Sequence, residues 1–137
     1  MTPPLLELDF GKVYLLENIM IAELHEGILL DVERNRELLD LAGNHFKEQP
    51  YGYISNRSNS YAVNPLVYLE SASTETLKAI AVVTSDPVVI QNTIIEKQFY
   101  KDSNSFEVFS TLEEAINWIK FIIPTNQTAA PRQFGNS

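Results

Sequence analysis

The chain has 137 residues, no cysteine and only two histidines, His25 and His45. That excludes disulfides, thiolate chemistry and cysteine-based metal sites, and it leaves no material for a His-rich metal centre. Acids outnumber lysine and arginine by 18 to 10, giving a net charge of −8. Such a surface argues against a nucleic-acid partner and against an anionic membrane, both of which need a basic face. No basic leader precedes an apolar run, and no apolar run approaches the ~20 residues of a membrane span, so a cytoplasmic protein is expected.

The N-terminal third reads as an antiparallel meander. Leu5–Phe10, Val13–Glu17 and Ile19–Leu24 are short apolar runs separated by Gly11-Lys12 and by Asn18. Asn18 fits either a bulge or a very short turn. Asp31 then stands as N-cap before an amphipathic helix, with Leu38, Leu41, Ala42, His45 and Phe46 on one stripe and a stop before Pro50. Tyr51–Asn56 is short, aromatic and bounded by Pro50 and a polar loop, which predicts a strand. Asn64-Pro65 predicts a helix start, with asparagine as cap and proline as first helical residue, running to about Ser73. Lys78–Thr84 is nearly all apolar, as expected of a strand covered on both faces. Ser85-Asp86-Pro87 repeats the cap-and-proline signal for a helix to about Tyr100. Phe106–Phe109 is a last short strand, and Ser110-Thr-Leu-Glu113 reads as a capping box. It opens a helix with the stripe Leu112, Ala115, Ile116, Ile119 and Ile123.

The order β-β-β-α-β-α-β-α-β-α predicts a single α/β domain over residues 1–124. Its sheet is mixed, with an antiparallel meander followed by parallel β-α units. Residues 125–137 have no apolar period and read as a disordered tail.

Catalytic motifs are absent: there is no glycine-rich phosphate loop, no Walker loop and no nucleophile elbow. His25 beside Glu26 reads as a surface turn, and His45 as a residue packed at the edge of its helix stripe. Glu33, Glu37 and Asp40 share a helix with Arg34 and Arg36, as a solvated face does. Glu113-Glu114 suits a helix dipole. The aromatic distribution is more informative. Tyr51, Tyr53, Tyr61 and Tyr68 fall close together, interleaved with Arg57, Asn59, Ser60 and Asn64. Tyrosine pairs contact area with a polar tip, and ligands of open α/β sheets gather at strand-to-helix loops. The candidate binding set is therefore Tyr53, Arg57, Asn59, Ser60, Tyr61, Asn64 and Tyr68. In one version Arg57 and the amides after Asn64 hold a small anion; in another the loop meets a protein partner.

The block Tyr53-Ile-Ser-Asn-Arg-Ser-Asn-Ser-Tyr61, the Asn64-Pro65 pair and the closing Phe106–Trp118 segment resemble the STAS-like proteins. This is the sulfate-transporter and anti-sigma-factor-antagonist fold, in its SpoIIAA-like branch of small stand-alone bacterial proteins. The resemblance spans most of residues 5–123. It implies a compact sheet with helices, no catalytic centre, no cofactor, and binding of protein partners or small ligands. Regulated members carry a phosphorylatable serine in an Asp-Ser-Ser/Thr-Gly block at the strand-to-helix slot. Here Ser58 or Ser60 would occupy that role, although the aspartate and glycine are missing. A non-enzymatic binding module is the leading expectation. The alternatives are a small enzyme using the tyrosine, arginine and serine groups of the same loop, and a purely structural homodimer. A homodimer is expected in any case, with the edge of the N-terminal meander offering an unpaired strand.

Overall fold

The computed structural model describes residues 4–59, 61–100 and 103–124. Among the described residues, six strands form one sheet in the order β1 (Leu5–Leu8), β2 (Gly11–Leu15), β3 (Ile19–Leu24), β5 (Tyr51–Asn56), β7 (Leu77–Val83), β8 (Phe106–Phe109). β1, β2 and β3 pair antiparallel, while β5, β7 and β8 continue from β3 in parallel. The mixed α/β sheet expected from the sequence is therefore present. The turn between β2 and β3 is tight: the Leu16 amide donates to the Ile19 carbonyl, so Asn18 sits in a turn and not in a bulge. Asn18 is buried there, and its amide donates to the Ile123 carbonyl at 3.0 Å, tying the turn to the end of the last helix.

Two short strands were not legible in the sequence. β4 (Leu29–Leu30) and β6 (Ala62–Val63) pair in parallel as a separate ribbon. Two residues carry no period, so only their long-range pairing reveals them.

Among the described residues, four α-helices cover the sheet. α1 (Val32–Phe46), α2 (Val67–Ala72) and α3 (Pro87–Gln98) are crossovers that step in one direction across the sheet and share a face. Beneath α1 and α2 lies a core that includes Met20, Leu38, Phe46, Tyr51, Tyr68 and Phe106. α4 (Leu112–Ile122) covers the opposite face, where Ile19, Ile21, Ile54, Ala79, Ala81 and Ile119 form a second core. Small residues in β5 and β7 let α4 approach closely. A methyl group at Gly52 would stand 2.6 Å from the Ile119 side chain.

Three local expectations need correction. The buried stripe of α1 is Asn35, Leu38, Ala42 and Phe46, rotated from the one read in the sequence. His45 is therefore exposed, and its ring stands T-shaped to that of Phe46, at 4.7 Å between centroids. The last helix is capped one residue later than expected: Thr111, not Ser110, accepts from the Glu114 amide, and the Ser110 hydroxyl donates to the Glu114 carboxylate. α2 begins at Val67, because Asn64 and Pro65 first form a tight turn. By contrast, Asp31 and Asp86 cap α1 and α3 as expected, with Pro87 opening α3. The tail read at 125–137 lies outside the described residues. Among the described residues, no helix is long and apolar enough to cross a membrane, and no three His, Asp or Glu side chains gather as a metal site.

Gly11 pairs with Leu24, and a methyl group there would stand 2.6 Å from the Leu24 Cα and 2.7 Å from the Glu23 carbonyl. Backbone cannot give way as a side-chain tip can. Gly11→Ala is expected to destabilise the fold by about 2 kcal/mol or more in urea unfolding.

Candidate functional site

Strand β5 sends alternate side chains to opposite faces, so Tyr51, Tyr53, Ser55 and Arg57 all point to the α1–α3 side. The Arg57 amide still bonds the Val83 carbonyl, so the ladder runs one residue past the strand proper. This geometry carries the Arg57 guanidinium under α2 and α3. There it meets Glu96 in a two-pronged ion pair, with Nη2 2.7 Å from Oε1 and Nη1 3.1 Å from Oε2. The two side chains keep 3% and 5% of their surface exposed.

The rest of the cluster completes this pair. Arg57 Nε donates to Ser55 Oγ at 3.0 Å, and Ser55 shares a 2.5 Å hydrogen bond with the Tyr61 hydroxyl. The Tyr61 ring also lies against the guanidinium, 5.5 Å from its carbon. The Tyr68 hydroxyl donates to Glu96 Oε1 at 2.6 Å and accepts from Arg57 Nη2 at 3.3 Å. Burial, the largest single influence, works to strip the proton from Arg57, but the hydrogen bonds to Glu96 and the electrostatic attraction of Tyr68, Tyr61 and Glu96 together outweigh it and raise the guanidinium above its ordinary value. Burial also raises the phenols of Tyr53, Tyr61 and Tyr68 above the usual tyrosine range, partly offset by the nearby Arg57 charge.

The candidate residues named from the sequence therefore divide. Arg57, Tyr61 and Tyr68 come together, but they face inward and are bonded within their own chain. Tyr53 lies on the same face with a buried hydroxyl that has no hydrogen-bond partner, as does Tyr51. Tyr51 packs by stacking on Phe46, with ring centroids 4.8 Å apart. Asn59 bonds the Leu24 carbonyl and fastens the loop to β3. Asn64 accepts from the Leu66 amide, and its carbonyl takes the Val67 amide, so the start of α2 is already occupied. Ser58 is exposed. Ser60 lies outside the described residues. His25 and Glu26 are exposed at the end of β3, as a surface turn should be.

Glu96 is the residue that sequence reading missed. The signal was present: Val89, Thr93, Glu96 and Tyr100 fall at i, i+4, i+7 and i+11, and all four are buried. A carboxylate on the covered stripe of a helix needs a cation, and Arg57 supplies it.

Two concave surfaces flank the buried pair. One is a cleft of about 310 Å³ outside the carboxyl ends of β5, β7 and β8. Asn56, Ser58, Thr84, Ser85, Asp86 and Ser110 line it, and Arg57 forms part of its wall. The other, about 250 Å³, is a groove between the β6–α2 connection and α3. Comparison with family models, curated proteins and solved structures found no match to this chain.

Removing one partner of the pair strands a buried charge. Glu96→Ala is expected to cost about 3–5 kcal/mol in urea unfolding, and the Arg57→Met, Glu96→Leu double variant should recover most of that loss. Tyr53→Phe deletes a hydroxyl without a partner, so stability should be unchanged or rise by up to about 1 kcal/mol. Tyr51, pushed up to about 12 by burial, binds its proton more tightly folded than unfolded. Its contribution is complete below pH 10 and is lost as pH rises towards 12. Urea melts across that range should show falling stability, with a shallower slope in Tyr51→Phe.

Proposed function

We propose that this chain is a STAS-like, non-enzymatic recognition module that binds a protein partner at the carboxyl ends of its parallel strands. The observation that carries this reading is the cleft there, which lies beside a loop held rigid from beneath. Arg57, Ser55, Tyr61 and Tyr68 lock the inner side of residues 57–59 and 61–68, and Asn59 pins this segment to β3. Its outer rim offers hydroxyls, an amide and the Asp86 carboxylate. A loop already ordered before binding loses little conformational freedom on contact. The position agrees with where open α/β sheets receive ligands.

The charge distribution favours a protein over a small anion. Arg57, the one cation lining the cleft among the described residues, is already matched by Glu96, and the whole chain carries −8. Such a field speeds the approach of a basic partner. The tyrosines support binding over catalysis. A phenol used as acid or base at neutral pH needs its pKa lowered, and here burial shifts three of them upward.

A photo-crosslinker at Ser58 on the full chain tests this reading. One protein should be captured, with a yield that falls as salt rises. Ser85→Trp, which fills the cleft, should abolish capture, whereas Phe121→Ser on the opposite face should leave it intact. Equal capture by both variants would refute the assignment, as would a chain that captures nothing.

A further inference from the structure

The buried ion pair does not use all of its hydrogen-bonding capacity. A guanidinium carries five N–H donors, and a carboxylate offers about four acceptor sites. Ser55 takes the Nε hydrogen of Arg57, Tyr68 takes one on Nη2, and Glu96 takes one from each terminal nitrogen. Among the described residues, the second hydrogen on Nη1 meets no acceptor. On the carboxylate, Oε1 accepts from both Tyr68 and Nη2, whereas Oε2 accepts from Nη1 alone. The spare donor and the spare acceptor therefore share one edge of the pair, where Nη1 and Oε2 stand 3.1 Å apart. The other edge is closed by Tyr68.

The groove between the β6–α2 connection and α3 reaches both members of the pair, whereas the strand-end cleft touches Arg57 and not Glu96. Tyr61, Val63 and Pro65 line it from the connection, and Ile95 and the exposed amide of Asn92 line it from α3. Apolar walls around a few convergent polar groups are the usual make-up of a small-molecule site. At about 250 Å³ the groove has room for a single ring with a short substituent. The matched charges at its base select against an ionised group. A carboxylate or an ammonium would meet a like charge as closely as an opposite one, and would lose its hydration without an unpaired counter-ion to offset the cost. A neutral group with a carbonyl beside an N–H satisfies both spare positions at once. We propose that this groove binds a small neutral aromatic carboxamide. The ligand carbonyl accepts the spare Nη1 hydrogen of Arg57, its N–H donates to Glu96 Oε2, and its ring rests between Pro65 and Ile95. The site is separate from the strand-end cleft, so either assignment can fail alone.

Three compounds of one shape and different charge provide the test: benzamide, benzoate and benzamidine, each titrated into the full wild-type chain and followed by amide NMR shifts. Benzamide should bind with a low-millimolar dissociation constant, as befits so small a ligand, and shift the amides of residues 61–63 and 92–96. Benzoate and benzamidine should bind there about tenfold more weakly or worse. Asn92→Trp, at an exposed position on the groove, should keep the wild-type circular dichroism and weaken benzamide by about tenfold or more. Ser85→Trp, which fills the strand-end cleft, should leave benzamide binding unchanged. The comparison of the three compounds uses the wild-type chain alone, so it stands even if a variant fails to fold. Absence of benzamide shifts at the groove would overturn the proposal. So would equal or tighter binding of either charged compound, or benzamide binding indifferent to a folded Asn92→Trp.

Discussion

Arg57 and Glu96 meet beneath two helices with almost no exposed surface, and most of the polar architecture on that face answers to their contact. Moving a guanidinium and a carboxylate out of water costs several kcal/mol per ion, which their attraction offsets only when geometry and hydrogen bonding are good. Both conditions are met: the contact is two-pronged, and Ser55 and Tyr68 provide further bonds. The pair joins the end of β5 to α3, elements 39 positions apart in the chain. Through Tyr61 and Tyr68 it also fastens the intervening loop and α2. Two of the segments that line the cleft, the end of β5 with its loop and the start of α3, are thus joined by one buried electrostatic contact.

That arrangement separates positioning from contact. The phenols and guanidinium lie below the loop, while the exposed polar groups of the cleft are the hydroxyls of Ser58, Ser85 and Ser110 and the Asp86 carboxylate. The same division recurs at α3. Its inner stripe of Val89, Thr93 and Glu96 holds the ionised core, while Val88, Ile90, Ile94 and Ile95 lie exposed beside the amides of Gln91 and Asn92.

The course of β5 shows how local sequence signals led part of the way. Tyr51, Tyr53 and Ser55 alternate with Gly52 and Ile54, and continuing that alternation by one step turns Arg57 inward. The polar run Asn56–Ser60 instead suggests a loop open to solvent, which is how Arg57 comes to be assigned to an incoming anion. In the same way the spacing of Val89, Thr93, Glu96 and Tyr100 marks Glu96 as buried, but nothing local to α3 says what pairs with it. Capping signals were accurate where an aspartate preceded the helix, at Asp31 and Asp86. They slipped by a residue where Ser110 and Thr111 stood side by side, since either hydroxyl can serve as a cap.

The sequence by itself determined the α/β class, the meander followed by parallel units, the placement of most strands and helices, and the clustering of tyrosines around Arg57. These are properties of hydrophobic period, turn residues and caps, which act over a few residues. Only the tertiary structure decided the inward direction of Arg57, the role of Glu96, the two-residue ribbon of β4 and β6, and the cleft at the strand ends. Each of those depends on contacts between segments far apart in the chain. Local period constrains which face a side chain takes, but the partner it meets there is set by how the sheet and helices stack.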